Sequence, residues 1–598
     1  MKFSLDYSSR FRILKGGKIA LVVSAVVASA SLLQAAPSGG VVTSGGASIT
    51  QSGAVTTITQ STQKTAINWT DFSIKANETV NFVQPSANAI ALNRVVGNER
   101  SVIDGALNAN GQVWLLNSNG VLFGKNASIN TAGLLATTSS LSDADFNAGN
   151  YTFSGASSNA ILNLGTITIS SEGYAILSGK EVQNQGSIHA LRGDVHLVGA
   201  DTVSINLNGN SLLNLTVNKG VLDALVKNSG SIQADGGEVY LTTNAVDELL
   251  KGVVNNTGII EAKSLEDAKG KIVLFAHGGS AHVDGTLDAS GGFIETSGKS
   301  LHVEDSTIIK TKKWLIDPDN IIIESSGGAV GGESVSATAI QNALSTADIE
   351  LQADQDITVN EAITWATARK LTLTAGDEIY VNATIENANT TNGGVYFNAA
   401  NVRDKVIFDA NGKVIIHNVN QLQWMNQALA GKYELGSDID ASVTSGWNVG
   451  DHDNNAGTAN VAMGFVPIGD NVNRFSGSFN GLGHTIAGLF INRPTTSGVG
   501  FFGYINNGAT IQNVGVTSID ITGISSVGGL VGYIHSGTIN NSYASGNVMG
   551  KNPSSYAGGL VGYILSGTIN NSYAGGSVRG DGGGYRRACR RWFCNHYK

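Results

Sequence analysis

Cysteine is almost absent from this chain: Cys589 and Cys594 are the only two, and both lie in the C-terminal tail. The body therefore folds without disulfides, and the usual scaffold of small secreted domains is excluded. Proline is scarce, with 6 residues, and only 14% of the chain is charged, well below the roughly 25% of an ordinary globular domain. Low charge and low proline together exclude a disordered linker or tail. The net charge of −9 provides no basic face, so nucleic acid is not an expected partner. Beyond the N-terminal region no segment is apolar enough to cross a bilayer as a helix. The chain holds no His-Glu-x-x-His, no Gly-x-Ser-x-Gly, no phosphate-cradling loop with its lysine and no Cys/His metal spacing. No catalytic residue, metal ligand or cofactor is expected.

Glycine is abundant, at 76 residues. It sits mostly at corners between short apolar runs. From Ile67 to Gly124 the runs Ile67-Asn68-Trp69, Val80-Asn81-Phe82 and Val113-Trp114-Leu115-Leu116 alternate with Asn- and Gly-rich corners. Asn and Gly tolerate the left-handed backbone that tight turns require, so this reads as strands joined by turns. At the start, Lys2, Arg10, Arg12, Lys15 and Lys18 precede an apolar run from Ile19 to Leu33, then Ala35, Ala36 and Pro37. That order is a secretory signal peptide, with cleavage expected after Ala35.

The order of elements up to Asn117-Ser118-Asn119-Gly120-Val121 resembles the secretion domain of two-partner secretion exoproteins, the filamentous haemagglutinin family. The resemblance implies export from a Gram-negative cell, by way of the periplasm, through a dedicated outer-membrane transporter. It makes Asn117, Ser118, Asn119 and Gly120 the secretion motif. Ser118 stands where the family commonly has proline, and the family's earlier Asn-Pro-Asn-Leu motif has no clear copy. The motif residues have two readings: direct recognition by the transporter, or simply a turn the domain needs in order to fold. A chain without cysteine can also stay unfolded in an oxidising compartment without wrong crosslinks.

A weak repeat follows. Asn163-Leu164-Gly165-Thr166-Ile167 recurs at Asn184, Asn228 and Asn256, with an altered copy at Asp284, about 20 to 30 residues apart or a double step. One such unit cannot bury its apolar face alone, whereas stacked units form a continuous core. The expected fold is all-β: a right-handed parallel β-helix, or β-solenoid, with short capping helices and further repetitive β structure. An Asn or Gly at each corner would stack into a ladder, with Ile167, Ile188 and Ile232 pointing inward. An antiparallel sandwich is the competing arrangement. A helix capped by Ser336 is expected to run to Leu344, and a second from Asn420 to Ala430, with Leu422, Met425 and Leu429 on one face. From Gly498 the repeat is nearly exact: Gly528 to Val548 is duplicated by Gly558 to Val578, resembling GLUG repeats of bacterial surface proteins.

Other candidates are weaker. Arg192-Gly193-Asp194 and Arg579-Gly580-Asp581 are possible receptor tripeptides, the first at a position where corner residues are already expected. His189 and His196 read as a solvated strand face. Asp317 and Asp319 flank Pro318 in what reads as a turn. Asp451-His452-Asp453 opens like a calcium loop, but Ala462 stands where the loop needs a glutamate. The expected organisation is 1–35 signal peptide, 36–300 secretion domain, 301–430 a family-like β segment with short helices, 431–580 a GLUG-type solenoid, and 581–598 a frameshifted tail. In that tail the basic, aromatic run Tyr585 to Cys594 replaces a repeat that is nearly due, and a one-base shift can restore Gly-Gly-Leu-Val-Gly. The expected function is a secreted or cell-surface adhesin-like exoprotein, not an enzyme. Its partners would be the transporter and a receptor or glycan on a host or neighbouring cell. A secreted cytolysin or contact-dependent toxin, and a β-helical polysaccharide-active enzyme, are the alternatives.

Overall fold

The computed structural model describes residues 37–155, 157–244, 252–326, 334–399, 405–450 and 461–580. The expected signal peptide, the Asp451 loop and the tail from Asp581 lie outside them.

One coil shows how the chain is built. Strands Ala160–Asn163, Thr166–Ile169 and Tyr174–Gly179 follow one another round a corner-bounded loop. Each pairs in parallel, residue for residue, with Glu181–Asn184, Ser187–Ala190 and Asp194–Gly199 of the next coil. Parallel neighbours need a long crossover, and here the other strands of the coil supply it. The period-two alternation sends every second side chain inward. Ile167, Ile188 and Ile232 pair in register and are fully buried, as the repeat predicts. Val182, Val226 and Val254 form the next column of the same core. Parallel pairing throughout this stack excludes the antiparallel sandwich.

The corner asparagines also stack. Asn163 Nδ2 donates to Asn184 Oδ1 at 2.7 Å, Asn184 to Asn228 at 2.8 Å, and Asn228 to Asn256 at 2.8 Å. The ladder ends where Asn256 donates to the Asp284 carbonyl at 2.8 Å. All four side chains are fully buried, so each amide depends on its neighbours to remain hydrogen-bonded.

Parallel pairing continues past Trp314. Strand Ile308–Pro318 carries Trp314 and Asp317 inside the ladder, paired with Phe293–Gly298, so the turn expected at Pro318 begins only after it. Pro318 closes that strand, and its carbonyl accepts from Asp354 N at 3.3 Å. Further on, one column runs through Ile363–Trp365, Thr384–Asn387, Lys413–Ile416, Lys432–Leu435, Ser478–Asn480, Ala509–Gln512, Gly537–Asn540 and Thr568–Asn570. The near-exact repeats stack within it. Tyr504, Tyr533 and Tyr563 stack at 5.2 and 4.9 Å, and Tyr543 lies on Tyr573 at 5.1 Å.

Helix Ala337–Ala343 is capped by Ser336, whose Oγ accepts from Ala339 N at 3.1 Å, as the sequence predicts. The second helix is shorter than the expected Asn420–Ala430: Val419–Trp424 is α-helical and Met425–Gln427 a 3₁₀ turn. It lies within one coil, between the paired strands Lys413–Ile416 and Lys432–Leu435. Leu422, Met425 and Leu429 are all buried there, on the one face the spacing indicates.

At the N-terminal end the pattern differs. Val41–Ser44 pairs antiparallel with Lys64–Trp69, and Ala47–Ser52 forms a hairpin with Val55–Gln60. A separate antiparallel sheet of Thr152–Ser154, Thr202–Asn208 and Ser211–Lys219 lies on the outside of the coils. Beneath it, with helix Asp143–Ala148, is a second core containing Trp114, Phe146, Phe153, Tyr174, Ile205 and Leu212. That covering explains why Gln112–Leu116 and Tyr174–Gly179 are buried on both faces.

Two substitutions test this register. Ile188→Asp would place an unpaired carboxylate in the core and should cost several kcal/mol, read as a lower denaturant midpoint. Asn184→Ala should cost about 2 kcal/mol or more, because it strands the Asn163 amide and the Asn228 carbonyl together.

Candidate functional site

The expected secretion motif forms a tight corner. Asn117 is buried, and its Nδ2 donates to the Glu99 carbonyl and Ser101 Oγ, both at 3.0 Å. Its Oδ1 accepts from Asn119 N at 2.9 Å, and its carbonyl accepts from Gly120 N at 2.9 Å. Asn119 Nδ2 in turn donates to the Gly97 carbonyl at 2.9 Å. Gly120 has φ +96°, in the region only glycine adopts easily, and a Cβ there would fall 2.7 Å from the Ala160 carbonyl. Ser118 alone presents an exposed side chain, while its carbonyl accepts from Ser157 Oγ and Asn159 Nδ2. The motif thus ties its own coil to both adjacent ones.

The first Arg-Gly-Asp is also a corner. Arg192 holds a left-handed φ of +55°, and its guanidinium makes a two-pronged contact with Asp267 at 2.9 Å on each arm. A Cβ on Gly193 would meet the Gly173 carbonyl at 2.2 Å. Asp194 is half-buried and accepts from Glu238 N at 3.1 Å. Burial, reinforced by the neighbouring Glu238 charge, pushes its carboxyl up to about 6 despite that bond. The three residues are brought together, but the two that carry side chains, Arg192 and Asp194, are both engaged elsewhere in the stack. The second copy crosses the edge of the described residues at Asp581.

His196 corrects an expectation. Rather than standing in solvent it is 6% exposed and stacks face to face on Tyr240, at 4.7 Å and 9°. Burial holds its imidazole neutral, with its pKa lowered to about 3. His189 is half-buried on an outward strand position. The difference lies in the outer sheet, whose hairpin strand Ser211–Lys219 overhangs the face that carries His196.

Between that strand and the coil face runs a groove of about 830 Å³. Tyr240, Thr242, Val273 and Phe275 form part of its floor, Leu213 and Leu215 part of its wall. Asp194, Glu238 and Glu295 line it too. Sequence reasoning missed this feature. Its one signal was spacing: the corner ladder steps 21 residues from Asn163 to Asn184 but 44 from there to Asn228, and the surplus is the hairpin.

Residues 33–288 match the family model of the TPS secretion domain, and residues 523–549 match the GLUG motif. The chain is 33% identical over 248 residues to a heme/hemopexin-binding protein of Haemophilus influenzae, covering 40% of this chain and 27% of that one. A second heme/hemopexin-binding protein from Haemophilus influenzae is 31% identical over 242 residues, 37% of this chain and 26% of that one. The chain thus spans about a quarter of the length of these relatives. The HMW1 secretion domain from Haemophilus influenzae is a similar solved structure, with TM-score 0.45 and 24% identity, covering 62% of this chain and all of that one. Residues 33–288 are thus a match to a TPS secretion domain, and the later repeats include a match to the GLUG motif.

Two raised carboxyls give a pH prediction. Asp317 is likewise pushed up to about 6, by burial first and then by Asp354, Glu295 and Glu350. A carboxyl whose folded pKa exceeds its unfolded one binds protons more tightly when folded, so its ionisation destabilises as pH rises from about 4 through 6. Asp194→Asn and Asp317→Asn should therefore melt above the parent at pH 7.5, and that gain should shrink toward pH 4.

Proposed function

We propose that this exoprotein is adhesin-like: exported by a cognate outer-membrane transporter, displayed at or released from the cell surface, and active by binding rather than catalysis. The observation that carries this reading is the match of residues 33–288 to the TPS secretion domain. The partner outside would be a receptor or glycan of a host or neighbouring cell. The ligands named for the Haemophilus relatives are not carried over, since the shared region is about a quarter of those proteins.

The mechanism is mechanical. Residues 1–35 would direct the chain to the periplasm, and residues 36–300 would act as the secretion domain that engages the transporter. Residues 301–430 and 431–580 would follow as the family-like segment and the repeat solenoid, with 581–598 a frameshifted tail. Each coil that forms outside buries its apolar row on the coil before it. That gain opposes backward movement through the pore and needs no external energy source. Asn117, Ser118, Asn119 and Gly120 serve here mainly to set the corner. The internal bonds of Asn117 and Asn119 support that role over direct reading by the transporter. Arg192, Gly193 and Asp194 as a receptor tripeptide would require Arg192 to release Asp267.

A fragment from Ala36 to Gly298 should be exported when a matching transporter is co-expressed. Its retention in the periplasm, with the transporter active on its own substrate, would overturn the proposal. Asn117→Ala should lower export and the melting temperature together, whereas exposed Ser118→Glu should leave both unchanged. Loss of export in Ser118→Glu with an unaltered melt would assign the corner to recognition instead.

A further inference from the structure

The outer sheet stops short of the surface it covers. Its strands lie over the outward faces of the early coils, where Leu212 and Ile205 close on Trp114 and Tyr174. Ser211–Lys219 is the last strand in order, pairing on one side with Thr202–Asn208. Along Ser211–Thr216 the other side has no ladder partner among the described residues. The coil face nonetheless continues beneath and beyond it through Glu238–Asn244, Lys271–Val283 and Thr286–Val303. The groove described above is the space between that strand edge and this face.

Its lining is mixed, part apolar and part acidic. Thr242, Val273 and Phe275 offer a largely apolar floor, and Val273 is only 6% exposed although it points outward. Leu213, in the wall, is 65% exposed, an unusual position for a leucine beside an apolar trough. The carboxylates of Asp194, Glu238 and Glu295 line it too, with Glu295 in register beside Val273. Lys271 offsets part of that charge: its Nζ donates to Tyr240 Oη at 2.9 Å and lies over that ring, and Tyr240 Oη in turn donates to Glu238. The His196 imidazole has no hydrogen-bond partner among the described residues and stays neutral, so it adds no positive charge.

We propose that this groove is a strand-addition site, which takes an extended polypeptide segment of alternating aliphatic residues with a cationic side chain to meet Asp194, Glu238 and Glu295. An open strand edge supplies backbone donors and acceptors that any extended chain can pair with. The floor then selects on alternate side chains, because successive residues of a strand point to opposite faces. The three carboxylates outnumber Lys271 and select lysine or arginine. An added strand would continue the outer sheet by one and cover Tyr240, Thr242 and Phe275 as its neighbours cover Trp114 and Tyr174. The site stands apart from export: it belongs to the folded chain and needs no transporter.

The test uses the purified full chain and a fluorescein-labelled peptide alternating Val with Thr and ending in two arginines, followed by anisotropy. Saturable binding is expected, weakened about ten-fold or more by Glu295→Lys and by N-methylation of every second peptide amide. A peptide ending in two glutamates should show the opposite response to Glu295→Lys. If that variant fails to fold, Glu295→Gln makes the same comparison with a smaller loss. No saturation up to about 1 mM, or equal binding of the N-methylated peptide, overturns the proposal. So does a dimer of this chain that Leu213→Asp abolishes, since the edge would then belong to a second copy.

Discussion

Everything in this molecule depends on backbone pairing between successive coils. Ordering each residue costs on the order of 1–2 kcal/mol, while a buried aliphatic side chain returns about 1.5–3. A coil with inward residues such as Ile188 and Val182 leaves its strand edges open on both sides, and cannot hold its shape alone. Stacked, it pairs Ser187–Ala190 with Thr166–Ile169 on one side and Ser231–Gln233 on the other. The stability of any coil is therefore borrowed from its neighbours.

The asparagine ladder and the Asn117 corner are versions of one device. A buried amide has donors and an acceptor that must be satisfied, and in a solenoid the coils above and below supply partners that its own corner does not. Asn184 satisfies its amide by pairing up and down the stack, and Asn117 by reaching Glu99 and Ser101. Polar groups in this position set register, because a slip of one residue would leave each of them stranded. The stacked tyrosines of the later repeats do similar work at the surface, where burial is lower and ring contact replaces the hydrogen bond.

The outer sheet is where the molecule departs from pure repetition. It gives the early coils a second core, and it turns an outward histidine into a buried neutral one beside Tyr240. Along Ser211–Thr216 it also presents an edge with no ladder partner among the described residues, above a partly apolar, partly acidic floor. A solenoid made only of repeats presents similar faces along its length, and this insertion is what makes one place on the domain chemically different from the rest.

Local pattern in the sequence was enough for the period, the inward residues and the corners. Period-two alternation and recurring Asn-x-Gly are properties of each short segment, and Ile167, Ile188, Ile232 and the Ser336 cap fell where they imply. The motif at Asn117 was visible as a turn for the same reason. What the sequence could not yield was contact between segments with no repeat relation. His196 looks like any outward strand residue until Ser211–Lys219 is laid across it, and Arg192 looks free until Asp267, 75 residues away, comes beside it. Those placements follow from how an insertion packs against the stack. Its side chains carry no periodicity that names their partners, so only the tertiary structure decided them.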